Sequence, residues 1–284
     1  MIGLRDRYRR SFIKNLRGIP VKYSYGGSIL LIVLSPAKTL KFDSVPPTHL
    51  HSMPDFLDES EILIARLRQF SPQNLSALMH ISGDLAVLNV TRYAAFKRPF
   101  TYSNARPALL AFKGDVYRGM SVNSYSESDF IFAQKHLRIL SGLYGVLRPM
   151  DLIQPYRLEM KTALTNPRGK NLYEFWGELI TRALNESLSS LPHPCLINLA
   201  SNEYFKAIKP KLLQAPIVTP VFKQKHKGTY KVVAVHAKRA RGLMSEFVIR
   251  NRLTEAAQLK NFAMENYGFD PALSDEKSWV FTRS

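Results

Sequence analysis

The run Ile29–Leu34 is the longest clean apolar stretch in the chain, and it constrains the architecture most. It is far too short to cross a bilayer, and it is continuous rather than alternating. It therefore reads as a strand buried on both faces, which requires a sheet with helices packed around it. Cys195–Leu199 gives a second apolar run of the same kind. The chain has 284 residues, 45% of them apolar, enough for a substantial core. Its single cysteine, Cys195, cannot form an internal disulfide and reads as a buried thiol in a reducing, cytoplasmic compartment.

Around the first strand, local signals mark further elements. Asp55–Phe70 has helical periodicity, and Ser71-Pro72 supplies an N-cap followed by proline at the first helical position. His80–Asp84 reads as a short hairpin into a helix from Leu85 to Phe96. Asn104–Phe112 is expected to be a helix and Lys113–Tyr117 a loop. Ser126 caps a helix over Glu127–His136, followed by a strand at Leu137–Leu140. A helix is expected over Leu172–Leu188, a strand at Leu196–Leu199 and a short helix after Ser201. Val218–Phe222 and Tyr230–His236 read as strands and Arg241–Arg252 as a helix. Strands and helices mix without regular βαβ spacing, so the fold class is α+β, a single compact domain over residues 28–284. Residues 1–27 read as a basic N-terminal extension, either a disordered arm or the product of a start codon placed too early.

The charge is uneven. Lys and Arg number 40 against 22 Asp and Glu, a formal net charge of +18. Residues 1–27 carry +6 of it. Lys206–Arg252 holds twelve cations and one acid, Glu246, and contributes +11, which leaves the rest of the chain near neutral. That block interleaves cations with apolar residues, so it is expected to fold and to present cations to a polyanion. Lys206, Lys209, Lys238, Arg239 and Arg241 are its candidate phosphate contacts, and Lys238–Gly242 is its densest point. No membrane partner is expected.

Two segments could present backbone N–H groups to a phosphate as a helix-hairpin-helix does. The first is Pro72–Phe96, with Ser82 and Gly83 at the turn and Arg92 on the second helix. The second is Asp129–Leu147, with Gly142, Tyr144, Gly145 and the following Arg148. The strand-like Leu137–Leu140 weakens the second, and the sequence does not decide between them.

Five stretches carry a resemblance: Leu34–Leu40, Phe112–Tyr117, Leu137–Pro149 with Gln154–Met160, Asn198–Lys206 and Ala237–Met244. Together they resemble the YaaA peroxide-stress family over about residues 30–282. The resemblance implies a cytoplasmic DNA-binding protein of the hydrogen peroxide response, limiting free iron and accompanying recombination and repair. It implies a compact α+β fold with a positively charged cleft and a helix-hairpin-helix element. It supplies no catalytic residue.

Lys38 lies just after the buried strand, where it can bind phosphate or act as an amine nucleophile beside Asp115, Asp151, Glu159 or Glu203. Ser35-Pro-Ala-Lys38 has Ser-x-x-Lys spacing but lacks the companion motifs of acyl-transfer enzymes. The seven histidines show no metal-site spacing, so no metal and no cofactor is expected. The expectation is a protein that grips duplex or structured DNA without sequence specificity. Its rival is a base-processing enzyme, glycosylase- or lyase-like, using Lys38 and a carboxylate.

Overall fold

The computed structural model describes residues 30–43 and 45–284, so the basic extension at 1–27 lies outside the described residues. Strand β1 (Leu30–Leu34) has five residues with no solvent exposure. Its sequence can be uniformly apolar because parallel neighbours flank it on both edges. These are β5 (Leu137–Ser141) and β8 (Cys195–Leu199). Between β1 and β5 the chain forms β2 (Thr39–Leu40), α1 (Leu57–Leu67), α2 (Pro72–Met79) and α3 (Gly83–Ala95). It continues through β3 (Arg106–Pro107), α4 (Ala108–Ala111), β4 (Phe112–Lys113), α5 (Asp115–Arg118) and α6 (Glu127–His136).

After β5 come β6 (Gly145–Leu147), β7 (Leu152–Ile153), α7 (Leu172–Trp176) and α8 (Leu179–Ser189). Past β8 lie α9 (Asn202–Phe205), β9 (Ile217–His226), β10 (Thr229–Lys231) and α10 (Ala234–Arg250). The short β11 (Gly268–Phe269) and then β12 (Ser278–Arg283) complete the described chain. The main sheet has the order β11-β12-β9-β8-β1-β5-β6, with β10 attached to β9. Its centre is parallel and its ends are antiparallel, and the class is α+β with a mixed sheet. No helix among the described residues is long and apolar enough to cross a membrane.

The caps act as their residue types require. Ser71 accepts a hydrogen bond from Asn74 N–H at the start of α2. Ser126 and Asp129 form a reciprocal capping box on α6. Pro220 fits inside β9 because Thr219 N–H donates toward the β12 side, to Lys277 O. The nitrogen of Pro220 then faces the side where pairing with β8 has ended at Val218.

Four expected elements differ. The helix at Asn104–Phe112 shrinks to α4, because Arg106–Pro107 pairs with Leu152–Ile153 and Phe112–Lys113 pairs with Thr39–Leu40. The Lys113–Tyr117 loop is instead strand β4 followed by α5. The Leu172–Leu188 helix breaks at Gly177, whose φ of 49° ends α7. The strand expected at Tyr230–His236 stops at Lys231, and α10 begins at Ala234. There the alternating character of the residues reads as a strand. Burial of Ala237, Ala240, Leu243 and Met244 along one helix decides otherwise.

The second hairpin reading is also corrected. Gly142–Tyr144 is the turn between antiparallel β5 and β6, so no second helix offers its N-terminus there. The N–H groups of Leu143 and Tyr144 donate to Ser141 Oγ. Gly142, Tyr144 and Gly145 are buried; Tyr144 is 0% exposed and its hydroxyl accepts from Gln154 N–H. Arg148 is mostly buried and bridges Asp151 and Asp55. These four residues serve packing, not a surface phosphate grip.

Candidate functional site

Parallel strands β1 and β8 end side by side, and the serines just beyond them tie the two ends together. Ser201 N–H donates to Ser35 Oγ at 2.8 Å, and Ser35 Oγ donates to Ser201 Oγ at 3.2 Å. Ser35 is thus engaged with Ser201, while Lys38 turns to Glu159 at 3.3 Å. The Ser-x-x-Lys spacing builds no serine–lysine pair. A cleft of about 440 Å³ opens beyond these strand ends. Crevices outside the carboxyl ends of parallel strands are where open sheets take ligands, and the volume suits one small ligand.

Each wall comes from a different part of the chain. Ser35–Thr39 forms the floor beside β1. Lys113–Tyr117 forms a second side, with Tyr117 Oη donating to Ser35 O at 3.0 Å. Tyr156–Glu159 forms a third, and Ser201, Glu203 and Tyr204 a fourth. Lys238 and Arg241 reach in from α10, one turn apart. All five stretches that carried the family resemblance meet here.

Glycines set the spacing of these walls. A Cβ on Gly242 would lie 1.8 Å from Val116 O, and one on Gly119 would lie 2.5 Å from Arg239 O. Only glycine lets α5 and α10 come this close, which brings Tyr117 and Arg241 onto one cleft. A Cβ on Gly142 would lie 2.3 Å from Leu158 O. That buried glycine lets the Tyr156–Glu159 segment settle over the β5–β6 turn and so positions Glu159.

The lining carries Lys38, Lys113, Arg157, Lys238 and Arg241 against Asp115, Glu159 and Glu203. Glu159 accepts from both Lys38 and Arg157, the latter at 2.8 Å. Arg157 Nε is shielded from solvent and has no hydrogen-bond partner among the described residues. The Arg241 guanidinium makes no ion pair among the described residues, and burial pulls its pKa down. Burial also lowers Lys113, with Lys41 adding to the effect. Cations desolvated without a full complement of carboxylates favour an anionic ligand. Burial holds the phenols of Tyr117, Tyr156 and Tyr204 protonated; Tyr117 donates to Ser35 O and Tyr156 shares a hydrogen bond with Ser141 Oγ, so these rings add no negative charge to the cleft. Among the described residues, no cluster of three His, Cys, Asp or Glu comes together to hold a metal.

The first hairpin is present as two helices, α2 and α3, joined by His80–Ser82 with His80 in the left-handed region. Ser82 caps α3, accepting from Leu85 N–H, and Ser82 and Gly83 are exposed. Arg92 is half-buried against Asn89. The hairpin reaches the cleft through Tyr93, whose buried hydroxyl donates to Arg157 O. Sequence reasoning missed this link, along with Lys113 and Arg157; no periodicity points to them.

The basic block divides between structural and exposed roles. Arg239 pairs with Glu265, Arg250 with Asp129 and Glu246, and Arg252 with Asp129. Lys206 lies over the Tyr173 ring, 5.0 Å from its centroid, while Lys209 is half-exposed. Lys238 and Arg241 serve the cleft.

The sequence profile described as peroxide stress protein YaaA matches residues 30–273. A UPF0246 protein of Cupriavidus pinatubonensis is 54% identical over 257 residues, covering 89% of this chain and 98% of that protein. A UPF0246 protein of Ralstonia nicotianae is 53% identical over 254 residues, covering 89% and 99%. With the profile spanning nearly all the described residues and relatives matched along almost their whole length, the chain belongs to the YaaA peroxide stress protein family.

Proposed function

We propose that this protein acts in the hydrogen peroxide response by binding duplex or distorted DNA without sequence specificity, and so helps limit iron-dependent damage. The observation that carries this reading is the cleft's unbalanced cation set, above all Arg241, which makes no ion pair among the described residues, with Lys238 and Lys38 lining the same cleft. The α2–α3 hairpin supports it as a helix-hairpin-helix element. Its exposed Ser82–Gly83 turn can offer N–H groups to a phosphate, with Arg92 nearby and Lys206 and Lys209 as further contacts. Gel-shift titration at 50 and 200 mM salt tests it, comparing wild type with a Lys38→Ala/Lys238→Ala/Arg241→Ala variant. Binding that weakens steeply with salt in the wild type, and is lost in the variant, is the expected result. Equal affinity in both removes the cleft from the mechanism.

One contact favours a second reading, a base- or nucleotide-processing enzyme. Lys38 Nζ and Glu159 Oε1 stand 3.3 Å apart in a cleft of nucleotide size. In this reading Glu159 takes the ammonium proton and the Lys38 amine attacks the sugar C1′. The C1′–N glycosidic bond breaks with its electron pair going to the departing base, which takes the proton back from Glu159. Under that reading Lys38→Ala abolishes turnover of a damaged duplex while leaving its affinity nearly unchanged.

A further inference from the structure

The β9–β10 ribbon is a strongly charged surface outside the cleft. β9 is paired with β8 only at Ile217 and Val218 and with β12 from Thr219 to Gln224. Past Gln224 its ladder partner is β10, through Gln224–Lys231, Lys225–Tyr230 and His226–Thr229. Lys227 and Gly228 close the turn with φ of 47° and 81°, the two positive values a type I′ hairpin requires. Every residue from 225 to 232 is exposed. Lys223, Lys225, Lys227 and Lys231 make no ion pair among the described residues, and no acid lies between Glu203 and Glu246. Lys227 holds a left-handed conformation that a side chain disfavours, and asparagine or glycine would adopt it more easily. A lysine there puts a charge at the tip.

We propose that this ribbon enters the major groove of duplex DNA as a second contact, separate from the cleft; the inference rests on the DNA-binding reading above. A two-stranded ribbon fits a groove about 12 Å wide, and three residue pairs at about 3.4 Å each reach its depth of about 8.5 Å. Lys223, Lys225 and Tyr230 share one face, because Lys225 and Tyr230 are direct partners. Lys231 projects from the opposite face, so cations meet the phosphates of both groove walls while Lys227 points inward. Tyr230, 38% exposed, lies beside Lys225 on the face that meets one groove wall.

The test compares wild type with a Lys225→Gln/Lys227→Gln/Lys231→Gln variant by gel shift from 50 to 200 mM salt. The probes are a 30-base-pair duplex and the same duplex with glucosylated hydroxymethylcytosine filling its major groove. The variant is expected to bind the plain duplex about tenfold or more weakly, with a log–log salt slope shallower by about 0.9 per lysine removed. Wild type should bind the filled groove about as weakly as the variant binds the plain one. Thermal melting should match, since these side chains are exposed. Unchanged affinity and slope in the variant, with wild type still binding, overturns the ribbon proposal and leaves the DNA-binding reading standing. Equal wild-type affinity for both duplexes does the same. Failure of wild type to bind either duplex removes both.

Discussion

Lys38 Nζ lies 3.3 Å from Glu159 Oε1, joining the segment after β1 to the one after β7. The two side chains differ in setting: Lys38 is 64% exposed and Glu159 11%. Glu159 also accepts from Arg157 at 2.8 Å, so losing Lys38 leaves the carboxylate partnered. The pair is thus poor at holding the fold and well placed to act on a ligand. Lys38→Ala should cost less than about 1 kcal/mol of stability, as for an exposed ion pair. Denaturant titration checks this, and a loss several times larger would assign the pair to the fold. Glu159→Gln should cost more, because it leaves the half-buried Arg157 without its anion.

The α5–α10 contact yields a sharper stability prediction. Gly242→Ala places a methyl carbon 1.8 Å from Val116 O, which is backbone and cannot swing aside. The helices must separate, at a cost of about 3 kcal/mol. Urea unfolding should show it as a lower midpoint. Since Arg241 and Tyr117 ride on these helices, cleft binding should weaken as well. A Gly242→Ala protein of wild-type stability would mean that the helices do not pack this way.

Local chemistry was legible in the sequence where the deciding partners lie close along the chain. Ser71 and Ser126 cap helices using amides three residues ahead. β1 and β8 announced burial on both faces by their unbroken apolar runs. Gly142 and Tyr144 were misread because paired glycines suggest a hairpin turn, while the packing of Leu158 over Gly142 and of Gln154 on Tyr144 is set by the fold and not by local pattern. The charge block was legible as a total but not in its distribution. Only the fold shows Glu246 accepting from Tyr125, Ser121 and Arg250, or Arg239 paired with Glu265. The cleft itself appeared as scattered motifs, and its walls meet through the parallel pairing of β1 with β8 and the close glycine contacts of α5 with α10 and of Gly142 with Leu158.

His136 makes stability depend on pH. It is 5% exposed, donates from Nδ1 to Leu30 O, and stacks on Phe132. Burial holds its pKa below the ordinary 6.5, and Lys135, Arg138 and Arg252 add to the effect. The unfolded chain therefore takes up a proton before the folded one does. The contribution is fully present above about pH 6.5 and is lost as pH falls toward the folded pKa. Asp151, pushed up to about 6 by burial despite Arg148, titrates in the same range with the opposite sign. The measurable quantity is thus a difference between proteins. His136→Asn, which keeps a donor for Leu30 O, should melt with a smaller loss between pH 7.5 and 5.5 than wild type. Parallel melting curves across that range would contradict it.

Gly83 separates stability from function at the α2–α3 hairpin. It is the first residue of α3, capped by Ser82, and a Cβ there would meet nothing within 4 Å among the described residues. Alanine suits a helix better than glycine, so Gly83→Ala should stabilise the protein by about 0.5 kcal/mol. Ser82→Ala, by contrast, removes the acceptor for Leu85 N–H and should cost about 1 kcal/mol. If the helix N-terminus receives a phosphate, the Gly83 methyl stands between that phosphate and the amides. DNA affinity should then fall severalfold while the melting temperature rises. Two structural roles would instead make affinity follow stability, up for Gly83→Ala and down for Ser82→Ala. Paired melting and gel-shift measurements on the two variants distinguish a phosphate-binding hairpin from a packing motif.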